Sequence, residues 1–409
     1  MALAELIRVP PQARGWLRLP AAIRIGVVYL VARGVTMGFF WGAAQLSTFG
    51  SRFGPRPNVG SLLMGWDAQW YWFIAVHGYP ATLPTDDSGA VVNNQWAFMP
   101  VYPYLARLLG GEGVGWQPAA IGISLVAGFL GCLVLYLLLR PRVGEDAATW
   151  AIVFFACAPL AAIFQIGYAE ALFLLWLFLA LWCVAHRRYR WLYALVPLMA
   201  FTRPGVLAFA LFLALHGIQR WKMRRAEPLP TGHVVHIVVL GAIATVAGFA
   251  WPVIAGAVSG VPDAYLLTEL SWRRGWIPGD DGAFAPFAAF WQAAGFWFHT
   301  WGLGTATGYV VLAVLVIAIA WALAFGPRVR KVGPEIRLWS ASYVVYLLAV
   351  FFPQSSIFRL LVPLSPLWGA AAVPRSRLWR GGLVVACLAG QWWWIYNMYA
   401  LGNAYWQIP

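Results

Sequence analysis

The sequence predicts an all-α, polytopic membrane protein with about eleven spans, and three observations predict it. Of its 409 residues, 62% are hydrophobic and only 10% are charged, whereas a soluble domain carries about 25% charged residues. So few charges cannot coat a water-facing surface. Apolar runs recur along the chain at the length of about 20 residues that a hydrocarbon core of roughly 30 Å demands. Finally, the formal net charge of +14 falls in alternate connecting segments. That is a topology signal, and it argues against nucleic acid as a partner.

The first 24 residues hold Arg8, Arg14, Arg18 and Arg24. The apolar run after them is too long for a signal peptide and lacks a small-residue cleavage pattern, so it reads as a retained first span. Spans are expected at about 22–45, 118–139, 147–165, 168–185, 233–258, 302–325 and 381–400. Residues 191–219 and 338–373 read as hairpins, broken at Thr202-Arg203-Pro204-Gly205 and at Pro353-Gln354-Ser355-Ser356. With the N-terminus in the cytoplasm, this division places Arg140, Arg142, Arg187, Arg188, Arg190, Arg220, Lys222, Arg224, Arg225, Arg328, Arg330, Lys331, Arg337, Arg375, Arg377 and Arg380 on the inner side. Most acids fall outside: Asp67, Asp86, Asp87, Glu112, Glu170, Asp263, Glu269, Asp280 and Asp281. The C-terminus is then extracytoplasmic.

The hairpin arms 191–201 and 205–219 are only roughly 17 and 22 Å long at 1.5 Å per residue. Their corner therefore sits below the outer surface, and non-helical backbone at that depth survives only when buried in protein or lining a wet cavity. A recessed bowl is expected, with Arg203 and Arg359 at its floor or wall. Charges at such depth are functional candidates. Two long outward segments, about 46–116 and 259–300, would roof it, and residues 65–78 read as a helix lying in the membrane interface. The whole chain reads as one integral membrane domain. Cys132, Cys157, Cys183 and Cys387 lie in apolar runs without metal-ligand or redox spacing.

The stretch MGWDAQWYWFIAVHGYP, residues 64–80, keeps one acid, Asp67, among aromatic side chains that include Trp66 and Tyr71. Aspartate there can cap a helix, or it can take a proton from a hydroxyl nucleophile. Arg203 and Arg359 can hold phosphate in a bidentate fork, or form an internal ion pair. Glu170 can bind substrate or serve the N-terminus of a helix. His77, Arg273 and Arg274 can line the site or sit as solvated interfacial groups. Asp86-Asp87 reads as a solvated turn, and Asn93, Asn94 and Gln95 as a turn that could also meet a sugar. No P-loop, dinucleotide-binding glycine pattern, HExxH or GxSxG is present.

Several stretches together resemble the PIG-V-like family, relatives of GPI mannosyltransferase 2. WDAQWYWFIAVHGYP followed by AFMPVYPYLARLL resembles its WDxxxYxxIAxxGY…AFFPLYPLL signature. GYAEALFLLW, FTRPGVLAFALF and FRLLVPLSPLWGA resemble YSESLFLL, TRPxGLxL and RYLLPxFPL in the same order. The resemblance implies a GT-C glycosyltransferase that moves mannose from polyprenyl-phosphate-mannose to a hydroxyl of a glycolipid acceptor, with inversion. It implies Asp67 as general base and Arg203 and Arg359 at the donor phosphate. The basic, Ala-, Gly- and Trp-rich composition points instead to the plasma membrane of a bacterium. With arginines at the leaving group, no metal or other cofactor is expected. Two other classes remain open: a transporter or flippase for a lipid-linked sugar, and a non-catalytic subunit of a glycosylation complex.

Overall fold

The computed structural model describes Leu6 and residues 19–111, 113, 115–274, 276–277 and 284–402. Arg8, Arg14, Arg18, Glu112, Asp280 and Asp281 lie outside the described residues. An apolar segment must satisfy its own peptide groups in lipid, which a helix does. Among the described residues the regular elements are helical, and the one β pairing is an isolated bridge between Thr85 and Val91.

In chain order the helices begin with α1 (Ala21–Leu46), α2 (Val59–Leu63), α3 (Asp67–His77), α4 (Val101–Gly110), α5 (Trp116–Val143) and α6 (Glu145–Cys157). There follow α7 (Glu170–Ala185), α8 (Leu192–Ala200), α9 (Val206–Lys222), α10 (Thr231–Ser259), α11 (Ala264–Arg274) and α12 (Ala288–Thr300). The chain closes with α13 (Thr305–Phe325), α14 (Pro327–Arg330), α15 (Pro334–Val350), α16 (Ile357–Leu360), α17 (Trp368–Ala372) and α18 (Arg377–Ile395).

Four of these, α1, α5, α10 and α13, are long and apolar enough to cross a membrane singly. The remaining apolar segments are shorter, as the hairpin arms were expected to be. The expected span 147–165 shows why. Helix α6 stops at Cys157, and Pro159 follows two residues on, a position where proline commonly ends a helix. Arg33 of α1 covers this early end: its guanidinium donates to Ala156 O in the last turn of α6 at 2.6 Å and to Ala161 O of the following 3₁₀ turn at 2.5 Å. Gln165 accepts from the same guanidinium at 3.3 Å.

Both expected breaks are present. Helix α8 ends at Ala200 and α9 begins at Val206, with Gly205 between them at φ +134°, a backbone region open to glycine and costly to other residues. Helix α15 ends at Val350, and the segment beyond it forms α16, a 3₁₀ stretch over Val362–Leu367 and α17. Pro363 and Pro366 sit in that stretch, where they deny the backbone the donors a continuous helix needs.

The molecule has two chemically distinct ends. Helices α7, α9 and α15 each run between the breaks and a ring of ion pairs; 16 residues of α7 cover about 24 Å. The ring joins Arg142 to Glu335 at 3.1 Å, Arg187 to Glu227 at 3.1 Å and Arg187 to Glu335 at 3.4 Å. Asp146 pairs with Arg380 at 2.6 Å nearby in sequence to the contact of Glu145 with Arg24. The two long segments expected to roof the site are structured: α2, α3 and α4 occupy the first, and α11 and α12 the second.

Candidate active site

Helix α3 begins where the chain makes a sharp entry, with Trp66 at φ +55°. That residue is pinned from outside the helix. Its indole donates to Met398 O at 2.8 Å, its ring meets Phe53 edge-on, and the Arg52 guanidinium lies 4.7 Å from its centroid. Tyr71, Ile74 and Ala75 are buried while Trp72, Phe73, Val76 and His77 are exposed. Trp66 and Trp70 are half-buried against protein.

Asp67 is the first residue of α3, and its side chain does not cap the helix. It pairs instead with Arg359, the third residue of α16. The same Arg359 Nη1 lies 3.1 Å from Glu170 Oε1, and Arg203 Nη1 lies 3.0 Å from that oxygen. Four charges contributed by α3, α16, the N-terminus of α7 and the α8–α9 break thus alternate in one row: Asp67, Arg359, Glu170, Arg203. They sum to zero. Glu170 and Arg203 are buried, and Asp67 and Arg359 keep partial exposure, with side chains 18% and 11% accessible. The row is therefore reached from its Asp67–Arg359 end.

Aromatic side chains hold this row. The Arg359 guanidinium sits 5.2 Å from the Tyr168 centroid, and the Tyr168 hydroxyl accepts the Asp67 backbone N–H at 3.2 Å. Tyr343 donates to Leu360 O at 2.8 Å and fixes α16. Tyr71 packs edge-on to Phe98 and Tyr102 with centroids 5.2 Å apart in each case. Burial pushes the Asp67 carboxyl above its ordinary range. Arg359 pulls it back and Glu170 pushes it further up. The outcome is a carboxylate more basic than a solvated aspartate.

The sequence brings Asp67, Arg203, Arg359 and Glu170 to attention, and the structure places them together with Trp66 and Tyr71 beside them. Glu170 does more than serve a helix end: it is the counter-charge to both arginines. His77 lies at the far end of α3, exposed and packed on Phe73 with centroids 4.6 Å apart. Arg273 donates to Gln292 of α12, and Arg274 donates to Val91 O; both tie α11 to its neighbours. Asp86 accepts from Ser88 N, Ser88 Oγ and Ala90 N at 2.9, 2.6 and 3.0 Å, which builds the turn. Asn94 Oδ1 accepts from Trp96 N at 3.0 Å, and its amide donates to Thr268 at 2.9 Å. Among the described residues, no three His, Cys, Asp or Glu side chains gather as a metal-binding group.

Tyr168 is the residue that sequence reasoning passed over. Tyr168 lay inside a quoted motif, one helical entry before Glu170.

No family model matches the chain, and no curated protein matches it. Two solved structures are similar in shape. One is the crystal structure of ArnT from Cupriavidus metallidurans bound to undecaprenyl phosphate, 16% identical, covering 88% of this chain and 62% of that one at a TM-score of 0.46. The other is the Archaeoglobus fulgidus oligosaccharyltransferase in complex with zinc and sulfate, 15% identical, covering 93% of this chain and 53% of that one at a TM-score of 0.44. This chain spans less than two thirds of the length of either.

Proposed function

We propose that this chain is a PIG-V-like membrane glycosyltransferase of the GT-C kind, acting on the extracytoplasmic face of a bacterial plasma membrane. Its donor is polyprenyl-phosphate-mannose and its acceptor a hydroxyl of a glycolipid. The observation that carries the reading is the pairing of Asp67 with Arg359 at the accessible end of a buried, charge-balanced row. It joins the acid of one family-like motif to the arginine of another across 292 residues.

In the resting site Arg359 is engaged by Asp67 and Glu170. An arriving donor phosphate competes with Asp67 for Arg359, since guanidinium and phosphate match in charge and geometry. Asp67 is then released as a base whose basicity burial has raised. The acceptor hydroxyl gives its proton to Asp67 as its oxygen bonds to the anomeric carbon. The bond from that carbon to the phosphate oxygen breaks, and its electron pair leaves on polyprenyl phosphate. Arg359, backed by Arg203 through Glu170, stabilises the charge that develops there. One displacement inverts the anomeric centre. A single base suits transfer to an alcohol, whereas hydrolysis of a glycoside normally uses a flanking pair of carboxyls.

The test is transfer of labelled mannose from polyprenyl-phosphate-mannose by purified protein in nanodiscs. Asp67→Asn should lower turnover at least about 100-fold, the scale of a lost general base, while still binding polyprenyl phosphate. Turnover within a few fold of the unmutated protein would remove Asp67 from the reaction.

A further inference from the structure

At the end of the molecule that carries the ring of ion pairs, α7 passes into α8 through a turn and the 3₁₀ segment Tyr189–Trp191. A cavity of about 440 Å³ opens there, between this connection and the start of α10. Arg187, Arg188 and Arg190 line it from the connection, His233 and His236 line it from α10, and no carboxylate lines it. Its volume falls among the roughly 300–1,000 Å³ typical of small-molecule sites.

The three arginines are held differently. Arg187 takes the left-handed backbone region at φ +59°, where glycine is the cheaper residue after a helix. Its guanidinium is committed to Glu227 and Glu335. The Arg188 guanidinium lies 5.1 Å from the Trp182 centroid, a contact that consumes none of its N–H donors. Arg190 is exposed, and among the described residues it has no hydrogen-bond, ion-pair or ring partner. Two of the three charges are thus uncompensated.

The opposite wall is firm. Tyr189 is buried, its hydroxyl lies 3.0 Å from His216 Nε2, and its ring meets that of His233 with centroids 5.2 Å apart. The Tyr193 hydroxyl lies 3.1 Å from His236 Nδ1. His233 Nδ1 is shielded from solvent and has no hydrogen-bond partner among the described residues, a cost that a ligand oxygen accepting from it would remove.

The position suits a lipid headgroup. Helix α10 is long and apolar enough to cross a membrane. Just past His233 it exposes Val234, Val235, Val238 and Val239, and Trp191 at the cavity edge is 65% exposed. Tryptophan and basic side chains at the end of a span mark the headgroup level, and basic pockets between spans suit phosphate headgroups.

We propose that this cavity binds the phosphate diester of an anionic membrane lipid through Arg188, Arg190 and His233. It is separate from the charged row, at the other end of α7.

The experiment is native mass spectrometry of the full chain in non-ionic detergent, titrated with dioleoyl phosphatidylglycerol. One adduct should form with the highest affinity. Arg188→Gln with Arg190→Gln should weaken it by about tenfold or more, as expected for lost charge-assisted hydrogen bonds. The thermal midpoint of the unliganded protein should not change. Should the pair lower it, Arg190→Gln alone, at a side chain without partners, should still weaken the adduct. Arg375→Gln with Arg377→Gln removes equal charge from exposed positions outside the cavity and should leave the adduct intact. Equal loss in both pairs, or loss in neither, overturns the proposal. Tail-free glycerophosphoglycerol should compete poorly. Affinity equal to that of the lipid would overturn the lipid assignment and make the cavity a site for a soluble phosphate ester.

Discussion

Asp67 occupies a position where aspartate ordinarily serves its own helix, yet its carboxylate crosses to Arg359. That choice sets its proton affinity. Burial raises the pKa above the ordinary value of 3.8, Arg359 opposes and Glu170 reinforces. A base works only when deprotonated, so kcat/KM for transfer should decline as pH falls through this raised pKa. The acid limb should then lie above the ordinary carboxylate range. A pH–rate profile of transfer to octyl α-mannopyranoside between about pH 4 and 8 checks this. A limb at or below the solvated value contradicts the burial assigned to the group. Asp67 was legible in the sequence because it stands alone among aromatics, and Arg203 and Arg359 because charge at membrane depth is costly. The bridging role of Glu170 was not legible, since it depends on two arginines 33 and 189 residues further along the chain, as their numbers show.

At the scale of elements, the hairpin breaks were readable from Arg203-Pro204-Gly205 and Pro353-Gln354, because proline and glycine disrupt helices locally. The early end of α6 was not. Pro159 signals it, but the structure tolerates it because Arg33, 123 residues away from Ala156, covers the freed carbonyl. Local chemistry can mark a break; only tertiary contact can make it stable within lipid. Helices α11 and α12 depend on a similar long-range fit. Helix α12 supplies Gln292, which receives Arg273 of α11, and α12 packs on α13 at Gly308. A Cβ there would lie 2.1 Å from Ala294 O, a backbone atom. Gly308→Ala must drive α12 from α13, at about 1–3 kcal/mol for overpacking, and draw Gln292 from Arg273. Its thermal midpoint in detergent should fall, and transfer should weaken with it. Gly241→Ala, with nothing within 4 Å of the added methyl, should change neither. Equal behaviour of the two variants would mean that α12 is not held at Gly308.

Across the whole molecule, the charged row and the ring of ion pairs lie at opposite ends of α7, α9 and α15. Composition and basic-residue placement made the two-ended, all-helical design readable; the division into four long and many shorter helices emerged only with packing. Sidedness is tested by cysteine accessibility in intact cells. Asp87→Cys and Arg225→Cys are both at exposed positions. The first should react with a membrane-impermeant maleimide from outside and the second only after lysis. The opposite pattern would invert the protein and exclude an extracytoplasmic reaction. The zero sum of Asp67, Arg359, Glu170 and Arg203 bears on what the site attracts. Free phosphate or sulfate in the medium meets no surplus positive field and must unseat a carboxylate unaided. A ligand tethered by its hydrocarbon tail stays at the rim long enough to do so. On the proposed polyprenyl-phosphate donor, discrimination comes from anchorage, and everyday inorganic ions should be poor inhibitors at ordinary concentrations.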